Sequence, residues 1–113
     1  MQQTFPPGTV AVIFRSKRND ADAPGYGAAA DAMVKAAEAF PGYVGIWSAR
    51  GEDGVGVTVS YWKDQTAAQA WKANAAHAAI REQGRARWYD WYELVVAEVT
   101  RAYDWHRPES GQT

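Results

Sequence analysis

The segment Glu93-Leu-Val-Val-Ala-Glu-Val99 constrains this chain most, because as a strand it is apolar on both sides. Successive strand side chains point to opposite faces, so Leu94 and Val96 lie on one face and Val95, Ala97 and Val99 on the other. Such a strand has to be covered twice. What covers it depends on the other elements the chain supplies.

The sequence predicts a strand from Thr9 to Ser16, following the Pro6-Pro7-Gly8 breaker, and a polar loop over 19–25. Tyr26, Ala30, Met33, Ala37 and Phe40 recur at helical spacing and predict a helix over 26–40, stopped by Pro41-Gly42. Tyr43–Arg50 and Val55–Trp62 read as strands joined by a tight turn at Asp53-Gly54. In the third strand, Val55, Val57, Val59 and Tyr61 form one face and Gly56, Thr58, Ser60 and Trp62 the other. Asp64 is a helix N-cap, with the helix expected to reach about Gln83 and Gly84 to close it in the left-handed conformation. A last strand is expected from Tyr89 to about Tyr103, followed by a polar tail.

The order is β-α-β-β-α-β, an α+β ferredoxin-like arrangement with an antiparallel sheet, in a single domain over 1–113 whose core spans about 9–105. Its helices cover one sheet face only. Assigning them to the Val55 face leaves Gly56, Thr58, Ser60 and Trp62, with an apolar face of the last strand, for a second sheet. A homodimer in which two sheets pack together is therefore expected.

Charge excludes several partners. Twelve basic against 13 acidic side chains give a net charge of −1, with no footprint for nucleic acid or an anionic membrane surface. No apolar run approaches the roughly 20 residues that span a bilayer, residues 1–9 lack the pattern of a signal peptide, and there is no cysteine. A cytoplasmic protein is expected. Six Trp and six Tyr in 113 residues exceed what a small interior can hide, and point to an interface and a pocket for a small hydrophobic or aromatic ligand.

The element order, Gly42-Tyr43-Val44-Gly45, the strand end Val59-Ser60-Tyr61-Trp62 and the series Trp71, His77, Gly84, Trp88, Tyr89 and Tyr92 resemble the antibiotic biosynthesis monooxygenase superfamily over roughly residues 9–105. That resemblance implies a dimeric α+β barrel and, for the activity, a monooxygenase that needs no cofactor and acts on a small aromatic or polyketide-like substrate. The same superfamily includes haem-degrading oxygenases and members with no reaction. Haem is thus the alternative cofactor, and a non-catalytic dimeric binder or stress-associated protein the alternative function.

His77 is one of two histidines. With Ala67, Ala70, Asn74 and Ala78 it falls within about a third of the helix circumference, so that His77 and Trp71 sit on opposite borders of the face that meets the sheet. The resemblance implies that His77 and Trp71 are catalytic, His77 as general base or as a haem ligand; a helix-border histidine with a hydrogen-bonded neighbour is the plainer reading. Haem-degrading relatives carry an Asn on the first strand, where this chain offers Phe14, Arg15 and Ser16.

Tyr26, Trp62, Asn74, Trp88, Tyr89 and Tyr92 are the expected substrate-binding residues, although at least half of the aromatic side chains must fill the core or an interface. Gly25-Tyr-Gly27-Ala-Ala-Ala30 fits a dinucleotide fingerprint only superficially, since no strand leads directly into it. No metal site is expected, because His77 and His106 lie on different elements without carboxylates at ligand spacing.

Overall fold

The computed structural model describes residues 5–74, 81–82 and 84–108. Strand β1 (Val10–Arg18) leads to helix α1 (Ala23–Glu38), then to strands β2 (Tyr43–Arg50) and β3 (Val55–Trp62). Helix α2 (Gln65–Ala73) follows, and a π-helical turn at Gly84–Trp88 feeds β4 (Tyr89–Glu98). The strands form one antiparallel sheet in the order β2-β3-β1-β4. This is the ferredoxin-like α+β fold, with the β-α-β-β-α-β order expected from the sequence.

Directly opposed residues share a sheet face. Val10, Trp62 and Tyr43 form one such row, and Val12, Ser60, Ile46 and Val96 the next. Val10 and Trp62 are completely buried and pack with Ala37 of α1 and Ala67, Ala68 and Trp71 of α2. Both helices therefore cover this face, which also carries Gly56, Thr58 and Ser60. The assignment of the helices to the Val55, Val57, Val59 and Tyr61 face is reversed. Neither face of β3 carries a charge, so alternation fixed the period without fixing which side faces inward. Trp62 decides it, because the ring stacks on Trp71 and meets the edges of Phe40 and Tyr43.

The helix-free face is the apolar one. It presents Ile13, Val57, Val59 and Val95, with Trp47 of β2 58% exposed on the same side. Phe5 stacks on Tyr61 there, with ring centroids 3.9 Å apart. An ion pair between Arg15 and Glu93 (2.7 Å) crosses the same face.

Several element bounds differ from the sequence reading; β1 runs on to Arg18 and α1 ends at Glu38. Helix α1 starts three residues earlier because Asp22 caps it, accepting from Gly25 N–H in a left-handed conformation (φ 50°), ahead of Pro24 in the first turn. Helix α2 stops at Ala73, where the extended Asn74 (φ −61°, ψ 133°) interrupts the run expected to reach Gln83. Gly84 opens the π-helical turn instead of closing a helix. Strand β4 ends at Glu98; beyond it Val99 makes the last two backbone bonds, donating to the Thr9 carbonyl (2.7 Å) and accepting from Gly8 N–H (2.9 Å), where the Pro6-Pro7-Gly8 breaker ends the partner strand.

Candidate functional site

The expected aromatic residues divide into two clusters on the helix side of the sheet, six residues or about 20 Å apart along β1. The first surrounds Trp62. Its ring is stacked on Trp71 (centroids 5.4 Å, interplanar angle 24°), and Phe40 closes on Trp71 edge-on at 5.4 Å. The Trp62 indole donates to Ser60 Oγ at 3.0 Å. Trp71 sits at the centre of the buried stripe of α2, with Ala67 and Ala68, and not at its border; Ala70 is exposed. Asn74 follows as the half-buried C-cap, its backbone N–H donating to the Trp71 carbonyl. His77 lies outside the described residues.

The second cluster gathers Tyr26, Trp88, Tyr89 and Tyr92 around Phe14. Tyr26, in the first turn of α1, meets Trp88 edge-on at 5.7 Å and Tyr89 at 6.0 Å. Phe14 contacts Tyr89 at 5.4 Å and Tyr92 at 5.2 Å. A register shift between Lys17 and Arg18 of β1, opposite the start of β4, brings Tyr89 to this side as well. The Tyr92 hydroxyl accepts from Arg85 Nε.

Polar groups converge here too. Arg50, Gly56, Ser16 and Tyr92 occupy one row across all four strands. Arg50 extends over Gly56 and donates from Nη2 to Ser16 Oγ (3.2 Å) and Tyr26 Oη (3.2 Å), and from Nη1 to the Gly54 (2.6 Å) and Ser16 (3.3 Å) carbonyls. The Arg18 guanidinium lies 3.8 Å above the Tyr26 ring centroid. Burial, and then the neighbouring Tyr26, raise the pKa of Tyr89 well above its ordinary value, while Arg50 and Arg18 pull it partly back. At neutral pH Tyr89 is a neutral phenol, able to donate a hydrogen bond to an oxygen anion.

Sequence reasoning did not single out Arg18 or Arg50. The parity that runs from Val10 through Phe14 to Ser16 was a usable signal, since it places Arg50, opposite Gly56, on the same face. A shallow open groove of about 410 Å³ runs past Arg15, Ala49, Arg50, Val55, Gly56 and Val57 at this end of the sheet. Among the described residues no three His, Cys, Asp or Glu side chains gather as metal ligands, and no helix is long and apolar enough to cross a membrane.

A family model described as antibiotic biosynthesis monooxygenase matches residues 9–83. The chain belongs to the antibiotic biosynthesis monooxygenase family. One relative within reach of sequence comparison is the Bacillus subtilis protein YqjZ, 42% identical over 101 residues, or 89% of this chain and 88% of that one. Two solved structures show the same family fold at low identity. SnoaB from Streptomyces nogalater, described as a cofactor-independent oxygenase, superposes with a TM-score of 0.71 at 16% identity, covering 84% of this chain and 96% of its own. Rv0793 from Mycobacterium tuberculosis gives 0.69 at 18%, covering 85% and 97%.

Proposed function

We propose that this protein is a cofactor-independent monooxygenase that oxidises a small aromatic or polyketide-like substrate and works as a homodimer. The observation that carries the reading is the second cluster: a half-buried neutral phenol, Tyr89, set edge-on to Tyr26 beneath two guanidiniums and walled by Trp88, Tyr92 and Phe14. Family membership and the description of SnoaB support it.

The chemistry needs an acidic C–H next to a carbonyl or phenol. A base takes the proton, and the resulting enolate passes an electron to oxygen. Recombination gives a hydroperoxide, which loses water to leave a ketone, so one oxygen atom enters product and the other leaves as water. An aromatic wall excludes solvent, and Tyr89 and Tyr26 donate to the enolate oxygen. His77 is the proposed base and Asn74, three residues before it in the chain, a proposed substrate contact. The Trp62–Trp71 stack anchors α2, and Trp71 reaches the chemistry through that position.

The apolar helix-free face is the proposed dimer surface, closed by the same face of a second copy to form a barrel. A cytoplasmic setting belongs to the same reading.

Oxygen uptake with anthrone tests the activity, with mass spectrometry of the quinone formed under labelled dioxygen. Uptake without added metal or flavin, lost in His77→Ala, is the expected result. Equal rates with and without the protein would overturn the reading. A Soret shift on adding haem would turn it toward the haem-binding alternative.

A further inference from the structure

The cluster around Tyr26 holds more positive charge than its structure uses. Arg18 and Arg50 both approach this one ring, at 3.8 and 5.8 Å from its centroid. Among the described residues neither guanidinium has a carboxylate within ion-pair distance. Their hydrogen-bond acceptors are neutral: Ala21 O for Arg18, and Ser16, Gly54 and Tyr26 oxygens for Arg50. The acid closest in the chain to Tyr26, Asp22, is committed elsewhere, capping Gly25 N–H and facing Arg87 at 3.7 Å. Two like charges over a half-buried phenol repel one another and raise the local potential, a cost that a bound anion reverses.

Unused donors stand at the same place. Trp88 is only 4% exposed and meets Tyr26 edge-on, yet among the described residues its buried indole Nε1 has no acceptor. Arg18 Nε is buried with none either. Buried donors are almost always satisfied, so an unsatisfied indole N–H, an unsatisfied Nε on one of these two cations and the lack of a paired carboxylate point to an acceptor that enters from outside.

We infer that Arg18, Arg50 and Trp88 form an oxyanion subsite that takes a carboxylate carried by the aromatic substrate. Arg18 Nε and Trp88 Nε1 donate to it and Arg50 supplies charge. The substrate class narrows to acidic aromatic compounds, with Tyr26 and Tyr89 lying between the carboxylate and the ring. This inference rests on the oxygenase reading for its substrate, but not for its test.

The test is calorimetric titration of the intact protein with 2-naphthoate, the isosteric 2-naphthamide and inorganic phosphate. The acid should bind at least about tenfold more tightly than the amide, the loss expected when a charge-assisted contact is missing. Arg18→Gln and Arg50→Gln should each remove about that factor for naphthoate and leave the amide unchanged. Arg15→Gln, which breaks an ion pair on the other face, should change neither. If Arg50→Gln melts early, Arg18→Gln and Arg50→Lys carry the comparison. Equal binding of acid and amide, unchanged naphthoate binding in Arg18→Gln, or phosphate binding as tightly as naphthoate would each overturn the proposal. Absence of oxygen uptake with anthrone would leave these ratios untouched and sink only the oxygenase reading.

Discussion

The Arg50 side chain passes over Gly56, so that a β-carbon at Gly56 would come within 2.9 Å of Arg50 Cζ and 2.8 Å of the Ala49 carbonyl oxygen. Glycine at this position leaves the gap through which an arginine from β2 reaches Ser16 on β1. Gly56→Ala should push Arg50 off Ser16 and strain the β2–β3 pairing, costing about 1–3 kcal/mol as overpacking does. Urea denaturation measures it. A melt within error of the native protein would show that the strands absorb the methyl.

Trp62 should be the most costly single truncation in the sheet. It is completely buried, stacked on Trp71, and its indole is satisfied by Ser60. Trp62→Ala should destabilise by about 3–5 kcal/mol. Ser60→Ala, which leaves the indole N–H buried without its acceptor, should cost about 1–3 kcal/mol. Equilibrium unfolding separates the two, and a Ser60→Ala effect as large as that of Trp62→Ala would contradict the packing described.

Tyr89 should be among the last tyrosines to ionise. Its pKa is raised in the folded state by burial and by Tyr26, from an ordinary value of 10.0. The unfolded chain therefore releases this proton first. The stability that Tyr89 contributes is complete below pH 10 and falls as pH rises beyond it. Spectrophotometric titration of phenolate absorbance should show a late step that disappears in Tyr89→Phe, and alkaline unfolding should shift upward in that variant. An unchanged titration curve would mean that Tyr89 is not the late group.

A charge in the middle of the helix-free face should break the proposed dimer. Val59 stands opposite Ile13 and Trp47, on a central strand of that face. Val59→Asp would bury an unpaired carboxylate between two sheets while leaving the helix side untouched. Sedimentation should give a dimer for the native protein and a folded monomer for the variant. A native protein that sediments as a monomer would remove the barrel.

The element order was legible because the chain marks its own breaks. Pro41-Gly42 and Asp53-Gly54 bound β2 and β3 as the structure has them, and Gly42 and Gly54 both adopt positive φ (88° and 87°). The side that faces inward was not legible. Val55, Val57 and Val59 look more like core than Gly56, Thr58 and Ser60, and only the fit of Trp62 between Trp71, Phe40 and Tyr43 reverses that impression. That Trp62 and Tyr89 lie in separate clusters was not legible for a similar reason. Aromatic composition carries no position along a strand, whereas the six-residue offset between Val10 and Ser16 does. Arg18 and Arg50 gave no local motif, because their meeting over Tyr26 depends on a bulge and on a glycine in the strand between.

Four of the five N–H bonds of Arg50 already point at oxygens of the protein, two from each terminal nitrogen. Only the Nε hydrogen is uncommitted in these contacts. Any guest that demanded more from this side chain would have to loosen the tie between the outer strand and its second neighbour. Recognition and the cohesion of the sheet end thus draw on one shared and nearly exhausted set of donors, and tighter holding by Arg50 would come at the expense of the scaffold that aims it.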